Sequence, residues 1–259
     1  MRIKISFLRT FKSSDSLPLH HQNTVYRFLK EYMPEKPDNK TFITYSTVKG
    51  TVSIAEGYIK YQSTKVSLVI ASNNDDFLQT LVNNIFRQRT IAIGKMELYP
   101  KQKIVVEMPQ YKSVMKYVCI SPIILIDPKK EPMRAADILD PASHEFSDLL
   151  FNSTIERMEE SGYSEEELSE FVSFQAIADA DYLIRIAENN KRYTRYYKNL
   201  DDQIIHGYLF PFALHAHPKV QEFICNCGIG YYCYQGFGMV DVVRMVPQSV
   251  ENSEIKTDD

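Results

Sequence analysis

The chain of 259 residues has no long apolar run. Its longest, YVCISPIILI from Tyr117 to Ile126, contains a proline and falls far short of the roughly 20 residues that a membrane-spanning helix needs. The opening MRIKISFLRT alternates charged and apolar residues and lacks the roughly 7–15-residue apolar core of a secretion signal. Both absences point to a cytoplasmic protein with no membrane partner. Cysteine is scarce as well. Four residues, three of them at Cys225, Cys227 and Cys233, do not make the disulfide framework of a secreted domain. His215 and His217 stand close to them, which raises the question of a metal cluster. Thiols two apart on a helix diverge, however, and the spacing fits no zinc pattern, so small buried hydrophobes are the better account. No metal and no cofactor is expected. Glycine is the third scarcity: only nine are present, and four stand in one stretch, GIGYYCYQGFGMVDVV from Gly228 to Val243. Such a stretch reads either as a loop whose backbone N–H groups converge on an anion or as a pair of tight turns before a strand.

The formal net charge of −3 hides an uneven distribution. Glu156 to Glu170 holds seven acids and one base, and the tail after Ser249 holds four acids and one lysine. The rest of the chain carries 22 acids against 28 bases, a modestly basic body that suits a polyanionic partner. Its length is comfortable for two small domains.

Hydrophobic periodicity sets out the first of these. Ile3, Ile5 and Phe7 alternate as on a strand. A polar linker follows, and Pro18 suits the first turn of a helix carrying Val25, Phe28, Leu29, Tyr32 and Met33, which Pro34 ends. Strand-like runs (TFITYSTV, TVSIAEGYIKY, KVSLVIAS), a helix opened by Asn74 or Asp75 and a last strand or hairpin from Thr90 to Val106 complete a β-α-β-β-α-β order. The second part reads as a looser copy: a strand from Met115 to Ile126, helical sequence between Ser143 and Phe171, strands at Asp181–Ala187, Lys191–Lys198 and Gln203–His215, a helix at Pro218–Cys227 and a final strand at Met239–Val246. The expected fold class is therefore α+β, two tandem ferredoxin-like (βαββαβ) domains with a C-terminal glycine-rich loop. The expected divisions are 1–108, 109–247 and an acidic, disordered tail over 248–259.

Several short motifs then fall into one family's order. LPLHHQ (Leu17 to Gln22), FITYS (Phe42 to Ser46), ISPI (Ile120 to Ile123), IHGYLF (Ile205 to Phe210) and, above all, GIG and GFGMV separated by five residues resemble the CRISPR-associated repeat-processing endoribonucleases of the RAMP superfamily. The resemblance covers the chain apart from the acidic helical segment and the tail. It implies two facing ferredoxin-like domains that bind CRISPR repeat RNA and cut the precursor transcript without metal. It allows a homodimer and other CRISPR effector-complex proteins as further partners. It also implies that the glycine loop, through Gly228, Gly230, Gly236 and Gly238, packs at the domain interface with its backbone available to the RNA. Family loops usually carry a basic residue between the two turns. Tyr231, Tyr232, Tyr234 and Gln235 stand there instead, which points to base stacking.

Metal-free RNA cleavage uses the substrate's 2′-OH as nucleophile and leaves a 2′,3′-cyclic phosphate and a 5′-OH. It asks for a group that takes the 2′-proton, cations for the phosphorane and a proton for the 5′-oxygen. The loop Pro34 to Lys40, where many family members place a histidine, has none. The candidates are His20 and His21, with Lys40 near the position of the family's lysine and Tyr26 as a lesser one. His21 lies four residues before Val25, on the apolar stripe, whereas His20 shares the polar side with Asn23 and Arg27, both candidates for RNA contact. Helical phase favours His20 for exposure and the local pattern favours His21. Either stands at a helix N-terminus, where the dipole keeps a histidine neutral. The plain alternative is a cap and a packed core residue. For His144, His206, His215 and His217, core, turn or surface roles are expected.

A further RNA candidate is KRYTRYYK. On a strand, Lys191, Tyr193, Arg195 and Tyr197 share one face, and Arg192, Thr194, Tyr196 and Lys198 the other, each with cation and aromatic. Two other functions fit the same chain: a repeat-binding or scaffold member without catalysis, and a ferredoxin-like nucleotide-binding regulator using the glycine loop as an anion site.

Overall fold

Strand β1 (Arg2–Arg9) buries Ile3, Ile5 and Phe7 as its alternation demands. The structure, a computed structural model, describes residues 1–10, 13–34, 38–126 and 138–243. The tail expected to be disordered lies outside the described residues, as do positions 35–37 of the loop without histidine. β2 (Ser16–Pro18) follows, then α1 (Gln22–Tyr32), β3 (Ile43–Tyr45), the hairpin β4 (Val52–Ala55) and β5 (Tyr58–Tyr61), β6 (Lys65–Ser72), α2 (Asp75–Phe86), β7 (Ile91–Ile93) and β8 (Met96–Val105). Pro18 does not open the helix. It pairs with Tyr58 in a small sheet because Leu17 is drawn into the core, and α1 begins four residues later. α1 buries Val25, Phe28 and Leu29. α2 is capped by Asn74, whose side chain accepts from the Phe77 N–H. The main sheet has the order β3-β6-β1-β8-β7, and β3, β6, β1 and β8 are the four strands of a βαββαβ unit, with β7 added at one edge.

The second half repeats the plan with insertions. β9 (Val114–Cys119) and β10 (Ile123–Ile124) come first, then α3 (His144–Glu160), α4 (Glu165–Ser169), β11 (Phe174–Ala178), α5 (Ala180–Glu188), β12 (Thr194–Lys198), β13 (Ile204–Tyr208), β14 (Pro211–Ala216), α6 (Pro218–Cys227) and β15 (Val240–Val242). The order β11-β14-β9-β15 reproduces the ferredoxin-like arrangement, while β10, β13 and β12 form a separate sheet. Three expectations fail here. The strand expected from Met115 to Ile126 is two, β9 and β10, in different sheets. Asp181–Ala187 is helix, because Asp179 caps it through the Tyr182 N–H and its apolar residues follow helical spacing. The strand expected from Gln203 to His215 is two, broken between Tyr208 and Pro211, so that each half joins a different sheet.

Two cores result, one on each side of the junction. Arg2, 2% exposed, ties the halves together: Nη1 donates to Asp241 Oδ1 at 3.0 Å, and Nη2 donates to the carbonyls of Val240 (2.7 Å) and Cys225 (2.9 Å).

Candidate functional site

LPLHHQ turns from β2 into α1, and its two histidines diverge there. His21 is 1% exposed. Its Nε2 accepts the Val48 N–H at 3.2 Å, so its proton is on Nδ1, which faces the Pro18 carbonyl at 3.2 Å. Burial pushes its pKa down to about 4. Both nitrogens are occupied, and the neutral ring works as a strut between the start of α1 and the chain leaving β3. His20 is exposed. Its ring meets Tyr197 edge-on at 4.9 Å between centroids, and partial burial, then the Arg195 guanidinium, lower its pKa. A neutral imidazole open to solvent can accept a proton at neutral pH.

His20 borders a cleft of about 330 Å³ between the two halves. One wall is the β4–β5 hairpin, the other is β12 with the segment after β9. Arg195 and Lys49 line the same cleft, and Lys49 crosses it to donate from Nζ to the Ile120 carbonyl at 3.1 Å. Arg195 and Tyr197 share the face expected from strand alternation, since both line the cleft.

The other candidates lie elsewhere. Lys40 stands before β3, among Asp38, Thr41 and Asn73 to Asp76, and its side chain runs beside Gly162. β3 separates it from the histidines, which sit past the strand's far end. Tyr26 is half-buried against Tyr234, 6.3 Å between centroids, with Lys30 over its ring. Asn23 donates to the Asn199 carbonyl at 2.9 Å, and Arg27 is exposed. Lys191 and Arg192 are exposed but precede β12, so the two-face alternation applies only from Thr194. Tyr193 packs on Tyr208 and Phe210, a core contact in place of the stacking platform expected of it. Lys198 is exposed and pairs with Asp202 at 3.6 Å.

The glycine loop takes the packing part of the expectation furthest. Gly228, Gly230, Gly236 and Gly238 are buried with φ between +68° and +88°. A Cβ on Gly238 would lie 2.0 Å from the Ile229 carbonyl oxygen, and one on Gly236 2.4 Å from the Tyr45 ring. The N–H groups of Gly228, Gly236 and Gly238 go to the carbonyls of Ile224, Cys233 and Pro122. The loop packs between the halves, as the resemblance implies, and these N–H groups are spent within the protein. Tyr231 and Tyr232 are half-buried against the small cluster of Ile124, Tyr197, Ile205 and Phe237, whereas Tyr234 is half in solvent. Cys225, Cys227 and Cys233 are buried, and burial raises their thiol pKa values.

The sequence model of the C-terminal part of the CRISPR-associated protein Cas6 matches residues 106–242, more than half of the chain. The chain belongs to the Cas6 family. Solved structures of similar fold include a Cas6-related protein from Pyrococcus furiosus (22% identity, 94% of this chain and 98% of that one, TM-score 0.76). Others are a RAMP protein binding different RNA substrates (20%, 94% and 100%, TM-score 0.73) and a further Cas6 protein (18%, 94% and 99%, TM-score 0.71). A search of curated proteins gives no match. No helix among the described residues is long and apolar enough to cross a membrane.

Within this Cas6 fold, two residues that sequence reading passed over hold important positions. Lys49 follows the FITYS strand, and nothing in the sequence set it apart from other lysines. Arg157, the one base in the acidic segment, donates to the carbonyls of Gly228 (2.9 Å), Gly230 (3.4 Å) and Cys227 and lies over the rings of Phe42 and Phe223. The acidic α3 therefore reaches back to hold the glycine loop.

Proposed function

We propose that this Cas6-family protein binds the repeat RNA of a CRISPR transcript and cleaves it without metal in the cleft beside His20. The observation that carries the reading is the meeting of an exposed, neutral imidazole with two cations, Arg195 and Lys49, in one cleft between the halves. His20 takes the proton of a ribose 2′-OH, and that oxygen attacks the adjacent phosphorus. The P–O5′ bond breaks as the 5′-oxygen takes a proton from the Lys49 ammonium. Arg195 holds the charge of the phosphorane. The products carry a 2′,3′-cyclic phosphate and a 5′-OH. In this assignment His21 positions the start of α1, and Lys40 and Tyr26 stand outside the reacting group. The division of labour between residues 1–108 and 109–247 is then two walls of one RNA site.

The test is incubation of the protein with the repeat RNA of its own genome in excess EDTA, with binding measured in parallel. Specific cleavage to a cyclic-phosphate end, lost in His20→Ala while binding is retained, supports the assignment. The missing histidine between Pro34 and Lys40 favours a second reading, a repeat-binding member without catalysis. Binding with no cut in any buffer selects it, and absence of binding removes both.

A further inference from the structure

The proposed chemistry uses only the charged part of the cleft lining. Val52 and Ile54 also line it while remaining 41% and 61% exposed, as does Ile59. Ile54 pairs with Ile59 across the hairpin, and Val52 is two residues from Ile54, so the three side chains share one face. The hairpin that presents them is closed by a tight turn at Glu56 and Gly57, both at positive φ, and is fixed to the body by β2. Tyr197 and Leu209 line the cleft from the other half. An apolar wall kept wet gains free energy when a flat apolar group covers it. The cationic part of the lining is complementary to a phosphate attached to that group. The volume of about 330 Å³ stands at the small end of ligand sites, roughly 300–1,000 Å³, and suits a single nucleotide.

We propose that the cleft takes one unpaired nucleotide of the repeat at the scissile step, its base laid on Val52, Ile54 and Ile59 and its phosphate among His20, Arg195 and Lys49. The inference rests on the nuclease reading above and adds to it the state of the substrate: the base beside the cut is out of any stem and splayed from its neighbours. Unpaired bases are the parts of RNA that protein side chains can cover in this way. The exposed apolar residues of the hairpin are then a base-binding surface and not merely the outside of a small sheet.

The test is a 2-aminopurine scan of the repeat RNA, one substitution at a time, in complexes kept intact by a 2′-deoxy sugar at the cut. The protein has no tryptophan to compete for the signal. Fluorescence is expected to rise several-fold at one nucleotide flanking the cut. In a Val52→Ser/Ile54→Ser variant, which alters only exposed side chains, the rise is expected to vanish, with binding weakened about tenfold, the scale of losing the burial of one aliphatic side chain. Circular dichroism of the variant separates this from unfolding. If the RNA is bound and, with its ribose intact, cut, yet no flanking base responds, the pocket is overturned while the nuclease reading stands. If RNA is bound and never cut, a rise at one position sensitive to the double variant keeps the pocket and drops the nuclease, and its absence drops both. No binding overturns both.

Discussion

The glycine loop and the cleft beside His20 lie on the same junction between the two halves, yet the first is filled to contact and the second is left open. In the loop, four glycines bring backbone against backbone and ring, and the N–H groups of Gly228, Gly236 and Gly238 are bonded internally. In the cleft, apolar side chains stay in water, and an imidazole, a guanidinium and an ammonium converge. Tightly packed segments set geometry. Solvated apolar surface beside unpaired charge is where a ligand changes the free energy, because it alone has hydration left to lose. The two histidines repeat the contrast at the scale of adjacent residues: His21 belongs to the packing, His20 to the open site.

The strongest way to break this comparison is to exchange the roles. His20→Ala is expected to lower single-turnover cleavage of repeat RNA by about 10²- to 10⁴-fold, with the dissociation constant within a few-fold of wild type. An equal loss in both quantities would make His20 a binding residue. Because burial and Arg195 lower the His20 pKa, the wild-type rate is expected to fall only below pH 6.5, the ordinary value, on the acid side, and on the alkaline side to fall where the Lys49 ammonium, its pKa lowered by burial, loses its proton.

In the loop the corresponding change is Gly238→Ala. Left-handed backbone alone costs about 1–2 kcal/mol in an L-residue, and the 2.0 Å approach to the Ile229 carbonyl adds a collision that backbone must yield to. A loss of about 3 kcal/mol or more is expected from denaturant midpoints. Gly57→Ala is the control, since φ is +81° there with nothing within 4 Å of an added Cβ, and only the conformational cost of about 1–2 kcal/mol is expected. Equal losses at the two sites would show that close packing is not what the loop glycines are for.

His21 links the comparison to pH. Its folded pKa is depressed to about 4 from 6.5, so the contribution is complete above pH 6.5, where folded and unfolded chains are both neutral. As pH falls from 6.5 toward 4, the unfolded chain binds a proton that the folded one refuses, and up to about 3 kcal/mol is lost. The urea midpoint of wild type is expected to drop across this window. In His21→Gln the drop should be smaller, on top of a lower midpoint at pH 7.5 from the lost strut. Parallel curves for the two proteins would remove His21 from the acid sensitivity.

Much of this was legible in the sequence, and the failures have physical causes. The first half follows local rules: alternation in β1, the stop at Pro34, the cap at Asn74. The relative exposure of His20 and His21 followed from their phase against Val25. α5 was read as a strand because Tyr182, Ile184 and Ile186 are strand formers by type, although the Asp179 cap and the helical spacing of its apolar residues argued otherwise. β11 went unseen because it is a short edge strand with one buried residue, Ala176. The glycine loop was legible only in part, for a different reason. Sequence shows that a glycine is needed and is silent on what approaches it, and at Gly236 the neighbour is Tyr45 from the other half. The cleft was half legible for the same reason: Arg195 and His20 were each singled out, and Lys49 joins them only through the fold.

Lys40 gives the smallest expected effect and the sharpest test of place over pattern. It holds the sequence position before the FITYS strand where the family resemblance puts a lysine, but it is exposed among Asp38, Asp75 and Asp76, with its side chain beside Gly162. The intervening strand advances roughly 3.3 Å per residue, which carries the chain from Lys40 away to Lys49 in the cleft. Lys40→Ala is therefore expected to leave both the cleavage rate and the stability within about twofold and about 0.5 kcal/mol of wild type, while Lys49→Ala slows cleavage by at least tenfold. The reverse ranking would move the reacting phosphate to the Lys40 side of β3. The cleft beside His20 would then be left with binding alone.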